Sequence, residues 1–485
     1  MIFIDREIEI PPRLFTIAIL IGALATLTYG LIFQNWIMVF ATIFLPLAGI
    51  LFIYSVRYPR LSYGLYAIAS YYITVIMRYS GLTGLSLYLD ILLGYIFLCI
   101  LFNILRGKKD IYLPNAVNVL TLGYIVWMLY ILLVFANAPS TEKSIIMGTR
   151  SWLLGVPILY IISSLLADKP KFLRNGLILV GILTITAFLK LLYQKYRWFD
   201  AAEMNWLLNQ GGASTHLLSS GIRYFSIFSD AGNFGPNMGM ITIIYGIVSS
   251  YTPRGYLRYF YFIIAVLGCI GMFMSGTRSA IIVPLGGLGL YCLVSKNLKT
   301  MLISILTVIS MYLFFTLTNV GDENAFVRRM RTAFKPTEDA SFQLRMENQK
   351  KIREYILTHP WGTGIGGEIP RIEEVNGQFV ENYIPPDSFY VDIWTQTGYP
   401  GLILYISIYV VVLLRCCYIV MFRIRNKRLR NTLAALICGV FGMWLNGYAG
   451  RAMGMPPNGF LITAALAFVL NGPYMDRQIK DNRLI

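Results

Sequence analysis

The chain has 485 residues, of which 56% are hydrophobic and only 13% are charged, and its mean hydropathy is +0.62. Soluble globular proteins carry about 25% charged residues, so this composition excludes a soluble globular protein and indicates a polytopic membrane protein. The formal net charge of +17 would suggest a nucleic-acid partner in a soluble protein. In a membrane protein, lysine and arginine gather in the connections between spans, so no nucleic-acid partner is predicted.

The six cysteines lie inside apolar runs and show no metal-ligand spacing. The sequence therefore predicts neither a disulfide framework nor a zinc site, and it predicts no metal and no other cofactor. At the start of the chain, MIFIDREIEIPPR contains acidic residues and lacks a small-residue cleavage site. The first apolar run is therefore expected to remain as a helix rather than to be removed as a signal peptide.

Apolar runs long enough to cross a bilayer, about 17–22 residues each, predict an all-α fold with about 12–14 transmembrane helices. In chain order, the predicted spans are 14–33, 36–56, 61–77, 85–105, 115–136, 152–167, 174–193, 232–250, 259–275, 279–294, 300–318, 399–420, 431–447 and 457–472.

The distribution of lysine and arginine predicts the orientation of these spans. With a cytoplasmic N-terminus, the inner connections are RYPR, RGKKD, DKPKFLR, TPRGYLR, SKNLK and RIRNKRLR, followed by the tail DRQIKDNRLI. Together with the N-terminal segment they hold roughly half of the lysine and arginine residues, whereas the short outer connections hold few. We therefore predict that both termini are cytoplasmic.

Arginines at outer helix ends are not explained as topology anchors, because they lie on the side where basic residues are rare. They are Arg150, Arg223, Arg278 and Arg451. A guanidinium group offers a fixed fork of donors that suits phosphate and stays charged at low dielectric. Several of them in one cavity would bind the diphosphate of a lipid-linked donor. The alternative for each is snorkelling to lipid headgroups or pairing with a carboxylate.

A polar segment at 319–398 is the main candidate for a folded domain outside the membrane. Within it, SFQLRMENQKKIREYILTHP places Phe342, Met346, Ile352 and Ile356 near one stripe of a helix that ends at Pro360. We predict four regions: N-terminal transmembrane helices at 1–193, helices carrying the arginine motifs at 194–318, a periplasmic loop domain at 319–398, and C-terminal helices with a cytoplasmic tail at 399–485.

Four motifs occur in a characteristic order: GIRYFSIFSDAGNFG, SGTRSA, a helix that ends in HPWGTGIGG, and DSFYVDIWTQTGYPGLILY. Each is weak alone, but their order, spacing and predicted side resemble the O-antigen ligase and O-antigen polymerase (Wzy-type) superfamily over roughly residues 200–420. The resemblance implies a glycosyltransferase fold of the C type with one large periplasmic loop. It also implies a polyprenyl-diphosphate-linked glycan donor and metal-independent transfer on the periplasmic face, with Arg223 and Arg278 as the two motif arginines.

The chain departs from this family at one position, because it reads Asp387-Ser388 where ligases of the family usually carry a His followed by Asn. A carboxylate can also accept the proton of an acceptor hydroxyl, and the family position favours Asp387 as the catalytic base. The alternative is that Asp387, which follows two prolines, is the N-cap of the next helix. His216 is a rival base, whereas His359 is expected to end the loop helix.

Further residues are assigned to the site with alternatives. Asp230 is a supporting residue that either orients Arg223 or caps the next span. Arg345 is either a further phosphate contact or a surface residue on the loop helix, and Arg451 is included among the diphosphate contacts. Because diphosphate leaves as a stable anion, no general acid is required, and attack by the activated hydroxyl would invert the anomeric centre.

The predicted function is the transfer of a glycan from its polyprenyl-diphosphate carrier to lipid A core or to a growing glycan, with membrane lipids as the surroundings. Ligase, polymerase and protein O-oligosaccharyltransferase share this pattern, and we lean towards polymerisation. The alternatives from other classes are a flippase for the same lipid-linked oligosaccharides and a scaffold. A flippase is expected to carry charges along a central path, whereas here the polar residues concentrate in one outer loop.

Overall fold

The structure, a computed structural model, describes residues 28, 52–82, 84, 86–108, 110–137, 146, 148–218, 221–296, 298–334, 340–375 and 378–481. The chain divides into two compact units, Met1–Ser62 and Tyr63–Ile485. The spans predicted at 14–33 and 36–56 belong to the first unit and lie outside the described residues, apart from residues 28 and 52–56. The described elements belong almost entirely to the second unit.

The described residues are predominantly helical. The first helices are α1 (Pro59–Ser80), α2 (Ser86–Leu105), α3 (Val119–Asn137), α4 (Val156–Leu166), α5 (Pro170–Arg197), α6 (Ala201–Asn209) and α7 (Ala213–His216). The middle helices are α8 (Ala231–Tyr251), α9 (Tyr256–Met274), α10 (Ile282–Val294), α11 (Leu298–Leu317), α12 (Ala325–Arg331) and α13 (Ala340–Thr358). The last are α14 (Phe389–Tyr418), α15 (Lys427–Asn446), α16 (Asn458–Leu470) and α17 (Gly472–Lys480).

The strands form two short antiparallel hairpins. In the first, β1 (Leu217–Leu218) pairs with β2 (Gly221–Ile222). In the second, β3 (Pro370–Val375) pairs with β4 (Gln378–Tyr383). Both hairpins lie in the connections between the long helices, so the first precedes α8 and the second precedes α14.

The predicted all-α, polytopic membrane fold is confirmed. Among the described residues, six helices are long and apolar enough to cross a membrane, or seven if the bent pair α16 and α17 forms one span. Each of the other predicted spans, from 61–77 to 457–472, falls on a described helix, several of them too short or too polar to pass that test alone. Helices prevail because a backbone in hydrocarbon must satisfy its own hydrogen bonds.

The centre of the bundle is α8, which packs against α9, α10 and α15. Its side chains are buried along nearly the whole helix. Glycines allow the neighbouring helices to approach closely: a Cβ atom on Gly268 of α9 would lie 3.0 Å from the Met238 carbonyl oxygen, and one on Gly287 of α10 would lie 2.9 Å from that of Cys438. Small residues at such crossings are typical of packed membrane helices. This packing fixes the loops at both ends of α8.

Helix α14 contains a break at Gly398, whose φ of +67° is a left-handed conformation that favours glycine. The glycine-rich segment after α13 packs on this break: the Tyr399 amide donates to the Pro360 carbonyl at 3.1 Å, and the Thr363 amide donates to the Thr395 carbonyl at 2.9 Å. The two motifs HPWGTGIGG and TQTGYPG are therefore one structural unit. The predicted boundary of the polar segment, residue 398, coincides with the break.

The predicted amphipathic helix of the loop is α13, and its apolar stripe serves two different surfaces. Ile352 and Ile356 are fully buried in a small core with Ile369, Ile384 and Val391. Phe342 and Met346, about two to three turns before Ile352, instead face a cavity at the end of the bundle. The helix thereby joins the loop segment to the membrane helices.

Candidate active site

A cavity of about 500 Å³ lies where α8 begins and where α9 and α15 end. Four arginines line it: Arg223, Arg278, Arg329 and Arg345. No aspartate or glutamate is present among the described residues that line it. The cavity therefore concentrates four guanidinium groups, which suits an anionic ligand with more than one negative charge.

Arg223 is held rigidly at the wall of this cavity. Its Nη1 donates to the Thr215 carbonyl at 3.0 Å, its Nη2 donates to the Thr277 hydroxyl at 3.0 Å, and its Nε is buried without a hydrogen-bond partner among the described residues. Burial lowers the pKa of Arg223, and the charges of Arg278 and Arg345 lower it further, while Asp230 raises it. A buried, partly unsatisfied guanidinium beside two other cations is expected to gain from binding an anion.

The SGTR turn places the second motif arginine. Gly276 has a φ of +59°, and a Cβ atom there would lie 3.2 Å from Cγ of Arg223 and 3.4 Å from Cδ of Arg329. The Thr277 hydroxyl donates to the Ala231 carbonyl at 2.6 Å, which ties the turn to the first residue of α8. Glycine is required here both for its conformation and for the close approach of two arginine side chains.

Arg278 and Arg345 approach the cavity from different elements. Nη1 of Arg278 donates to the Thr332 hydroxyl at 3.2 Å, just after α12. Arg345 projects from α13, is half-buried, and makes no hydrogen bond or ion pair with the described residues. Arg345 lies on the cavity wall, and its role as a further phosphate contact stays a prediction.

Arg329 is a site residue that the sequence interpretation missed. It is only 9% exposed, and its Nε donates to the Gly276 carbonyl at 2.7 Å. The sequence around it, FVRRMR, contains three arginines within four residues of the short helix α12. Only the helical phase distinguishes Arg329, which faces the turn, from Arg328, which donates to the Asp322 carbonyl at 3.0 Å on the exposed side.

One side of the cavity is apolar. It is formed by Ile282 and Leu285 of α10, by Phe334, and by Phe342 and Met346 of α13. The arginines thus lie next to a surface that hydrocarbon can contact. A ligand that combines an anionic group with an apolar chain would match both parts.

Asp230 caps the next helix, which was one of its two alternatives. Its carboxylate accepts the Asn233 amide at 3.0 Å at the start of α8 and also accepts the Ser229 hydroxyl at 2.8 Å. No hydrogen bond joins Asp230 to Arg223 among the described contacts, and its influence on Arg223 is electrostatic. Asp230 therefore fixes the end of the loop that carries Arg223.

His216 is buried beneath the same loop and also serves the start of α8. Its Nε2 accepts the Ala231 amide at 3.0 Å, so the ring proton resides on Nδ1, which lies 2.9 Å from the Gly212 carbonyl oxygen. Both nitrogens are engaged in the fold. This arrangement corresponds to the supporting role of His216 rather than to a base that takes a proton from an acceptor.

His216 is expected to make stability fall in mild acid. Burial lowers its pKa from 6.5 to about 4. Between these values the unfolded chain binds a proton that the folded chain does not, so the free energy of unfolding decreases as the pH falls from about 6.5 to about 4, by about 3 kcal/mol. The measurement is the midpoint of thermal unfolding of the purified protein against pH, compared with His216→Gln, whose amide oxygen accepts the same amide but does not titrate. An equally steep decline in both proteins would contradict this assignment.

Deeper contacts hold the loop between Arg223 and Asp230. Arg78 of α1 donates to the carbonyls of Phe228 and Ser229, both at 2.9 Å, and its guanidinium lies over the ring of Phe225 at 4.4 Å. This arginine, at the end of a predicted span, was a second residue that the sequence interpretation missed. Nothing in the local sequence pairs it with a loop some 150 residues away.

On the other side of Phe225, the amide of Ser226 donates to the Gln194 side-chain oxygen at 2.9 Å, and the Gln194 amide group donates to the buried Glu203 carboxylate at 2.8 Å. Glu203 also forms an ion pair with Lys190 at 2.9 Å. Ser226 has a φ of +54°, an uncommon conformation that these contacts maintain. The loop that carries Arg223 is therefore stabilised by contacts with Arg78 of α1 and with Gln194 of α5.

Asp387 lies in the segment that leads into α14 and is not among the described residues that line the cavity. Its Oδ2 accepts the Asn348 side-chain amide at 3.1 Å, and Asn348 precedes the cavity-lining Gln349. The alternative that Asp387 is the N-cap of the following helix is wrong. Ser388 is the N-cap, and its hydroxyl also donates to the Gly447 carbonyl at 3.1 Å. The Asp387 carboxylate is thus not used as a helix cap and contacts α13 through Asn348.

Arg451 lies outside the group of cavity-lining arginines. Its Nε donates to the Pro386 carbonyl at 2.8 Å, and its Nη2 lies 3.5 Å from the Asp392 carboxylate. These contacts support the backbone next to Asp387, so Arg451 does not join Arg223, Arg278 and Arg345, the other predicted diphosphate contacts, in the cavity lining. Arg150, the remaining outer arginine, forms an ion pair with Asp90.

The fold and this cavity define a multi-pass α-helical membrane protein with a basic site at one end of its central helices. No group of three or more His, Cys, Asp or Glu side chains in the described part of the chain comes together as metal ligands. Residues 263–406 match the family model described as O-Antigen ligase, and this match supports the resemblance of the motifs to the O-antigen ligase and polymerase superfamily. No curated protein matches the chain.

The matched segment contains Arg278, Arg329, Arg345 and Asp387, whereas Arg223 precedes it. This match supports glycan transfer of the O-antigen ligase or polymerase type in general, with a lipid-linked glycan and an acceptor as the general classes of substrate.

Proposed function

We propose that the chain transfers a glycan from a polyprenyl-diphosphate carrier to an acceptor hydroxyl at the periplasmic face of the bacterial inner membrane. The observation that carries the proposal is the convergence of four arginines on one cavity without a lining carboxylate among the described residues. A diphosphate carries enough negative charge to engage several guanidinium groups at once. The adjoining apolar side of the cavity, formed in part by Ile282 and Leu285, suits the first units of the polyprenyl chain.

In the proposed reaction, Arg223 and Arg278 hold the diphosphate and stabilise the charge that develops as the bond between sugar and phosphate breaks. Arg345 adds a further contact from α13. Arg329 keeps the SGTR turn in place through its bond to the Gly276 carbonyl. Positive charge supplied by the protein's own side chains performs the stabilisation, and diphosphate leaves without a general acid.

The proposed base is Asp387, which takes the proton of the acceptor hydroxyl as that oxygen attacks the anomeric carbon. The Asn348 amide donates to its carboxylate and orients it, while Ser388 anchors the backbone to the turn at Gly447. Attack from the face opposite the diphosphate inverts the anomeric centre. The segment from α12 to β4 would cover the site and exclude water, which limits hydrolysis of the donor.

The test is reconstitution of the purified chain in lipid nanodiscs with a polyprenyl-diphosphate-linked oligosaccharide, first alone and then with lipid A core, with products separated on a gel. A ladder from the donor alone would identify a polymerase. A single shifted band that requires lipid A core would identify a ligase. Movement of the donor across the bilayer in a parallel assay, without either product, would overturn the enzyme assignment and favour a flippase.

A further inference from the structure

A second cavity, of about 620 Å³, lies at the opposite end of the same helices. It is lined by the beginning of α5 and α15 and by the end of α8, with contributions from α9 and α17. Helices α8, α9 and α15 each run from one cavity to the other. The 21 residues of α8 span about 30 Å, the thickness of the hydrocarbon core, so the two cavities lie near opposite membrane surfaces.

Three basic side chains border this second cavity: Lys171 and Arg174 in the first turns of α5, and Arg428 in the first turn of α15. No aspartate or glutamate is among its described lining residues, and none of the three cations forms an ion pair or side-chain hydrogen bond within the described part of the chain. The nearby carboxylate of Asp476 is engaged elsewhere, because it accepts the amides of Arg425 and Asn426 at 3.0 and 2.9 Å.

Basic residues in the first turns of two helices are unfavourable by themselves, since the N-terminal ends of helices carry partial positive charge. Arg174, Arg428 and the buried Tyr261 line the same cavity, so the two guanidinium groups border one space. An anion in that space would offset all of these charges. Topology anchors alone require cations near the membrane surface, but they do not require a cavity between them.

The apolar walls of the cavity and its depth relative to the membrane surface indicate the class of anion. Leu177, Val248 and Tyr261 form an apolar wall below the cations. Beside it, Tyr256 and Tyr259 at the start of α9 are 97% and 64% exposed, as expected for aromatic residues at the boundary between lipid and water. A phosphate at the level of the arginines, with hydrocarbon below it, is the arrangement of a lipid headgroup.

We propose that this cavity binds the headgroup of an anionic phospholipid from the surrounding bilayer, on the membrane face opposite the glycan-transfer site. The phosphate contacts Arg174, Arg428 and Lys171, and an acyl chain follows the wall formed by Leu177 and Val248. Bound lipid joins the ends of α5, α8, α9, α15 and α17, which otherwise present cations to one another. Basic cavities between membrane helices are known to bind acidic lipids in this manner.

The test compares lipid binding by native mass spectrometry of the detergent-solubilised chain, using dioleoyl-phosphatidylglycerol and dioleoyl-phosphatidylcholine as probes. The double variant Arg174→Gln/Arg428→Gln is expected to weaken phosphatidylglycerol binding about ten-fold or more and to leave phosphatidylcholine binding unchanged. The matched control is Arg254→Gln/Arg258→Gln, which removes the same charge from the same face but outside the cavity lining. This control is expected to retain the preference for phosphatidylglycerol.

Three outcomes would overturn the proposal. Equal loss of binding in the control and the test variant would assign the preference to diffuse surface charge. An unchanged preference in Arg174→Gln/Arg428→Gln would remove the cavity from consideration. Inorganic phosphate that displaces phosphatidylglycerol at equal concentration would indicate a free-anion site with no contribution from the acyl chain. Thermal unfolding of both variants in the absence of added lipid checks that each is folded.

Discussion

Replacing Arg278 with glutamine is expected to lower the rate of glycan transfer by about 10²–10³-fold, the loss that follows removal of one preorganised donor to a developing negative charge. The side chain faces a cavity that contains three other arginines and no lining carboxylate among the described residues. Arg278→Lys should recover only part of the activity, because an ammonium group lacks the planar fork of a guanidinium. The measurement is single-turnover transfer in nanodiscs at saturating donor.

The matched control is Arg328→Gln, which removes an arginine from the exposed side of α12 that is not part of the cavity lining. It removes the same charge and should retain activity. Full activity of Arg278→Glu in membranes would contradict the diphosphate site, because a carboxylate in that position would repel the donor. Thermal unfolding of each variant separates loss of function from loss of fold.

Replacing Asp387 with asparagine is expected to lower kcat by about 10²–10⁴-fold, the contribution of a positioned general base, while donor binding changes little. Asparagine keeps the shape of the side chain and its contact with Asn348 but does not accept a proton at neutral pH. Asp387→His should restore part of the rate with an acidic limb near pH ~6.5, the ordinary pKa of imidazole. The measurement is the pH dependence of kcat for the wild type and both variants.

The control for this pair is Asp392→Asn, one turn into α14, where the carboxylate contacts Arg451 and accepts the Gln396 side-chain amide at 3.0 Å. Asp392 supports the same segment but is not proposed to take a proton from the acceptor, so Asp392→Asn should retain kcat. A scaffold protein would tolerate both substitutions. An Asp387→Asn variant that keeps the wild-type kcat, or that loses only affinity for the donor, would contradict the assignment of Asp387 as the base.

Much of the fold was predictable because hydropathy acts locally. Runs such as 85–105 and 174–193 are predominantly apolar, and each contains enough residues to satisfy its own backbone in a bilayer. The loop helix was predicted from its stripe and its terminal proline, and α13 begins and ends within a residue or two of the predicted segment. The stripe itself does not specify what each residue contacts: Phe342 and Met346 face the cavity, whereas Ile352 and Ile356 are buried in a separate small core.

The site was predictable only in part. Arg223 and Arg278 were predicted because they lie in small-residue turns whose motifs resemble those of a known family. The cavity contains both, together with Arg345. Arg329 could not be predicted, because FVRRMR contains three arginines. Only the orientation of α12 about its axis determines that the middle one faces the cavity. Arg451 was grouped with them on the grounds of its position after a span, yet its contacts are to Pro386 and Asp392. Which arginine is a ligand contact depends on side-chain direction, which sequence spacing alone does not specify.

The sequence by itself determined that the chain is an α-helical membrane protein, roughly where its helices lie, and which motifs resemble glycan transferases. These properties follow from composition and from contacts within a few residues. The tertiary structure alone decided that four arginines share one cavity, although they come from the loop before α8, from the turn after α9, from α12 and from α13. It also decided that Ser388 and not Asp387 caps α14. Finally, it placed a second basic cavity at the opposite end of α8. Those properties depend on which helices pack together and in what rotation, and close packing between segments far apart in the chain sets both.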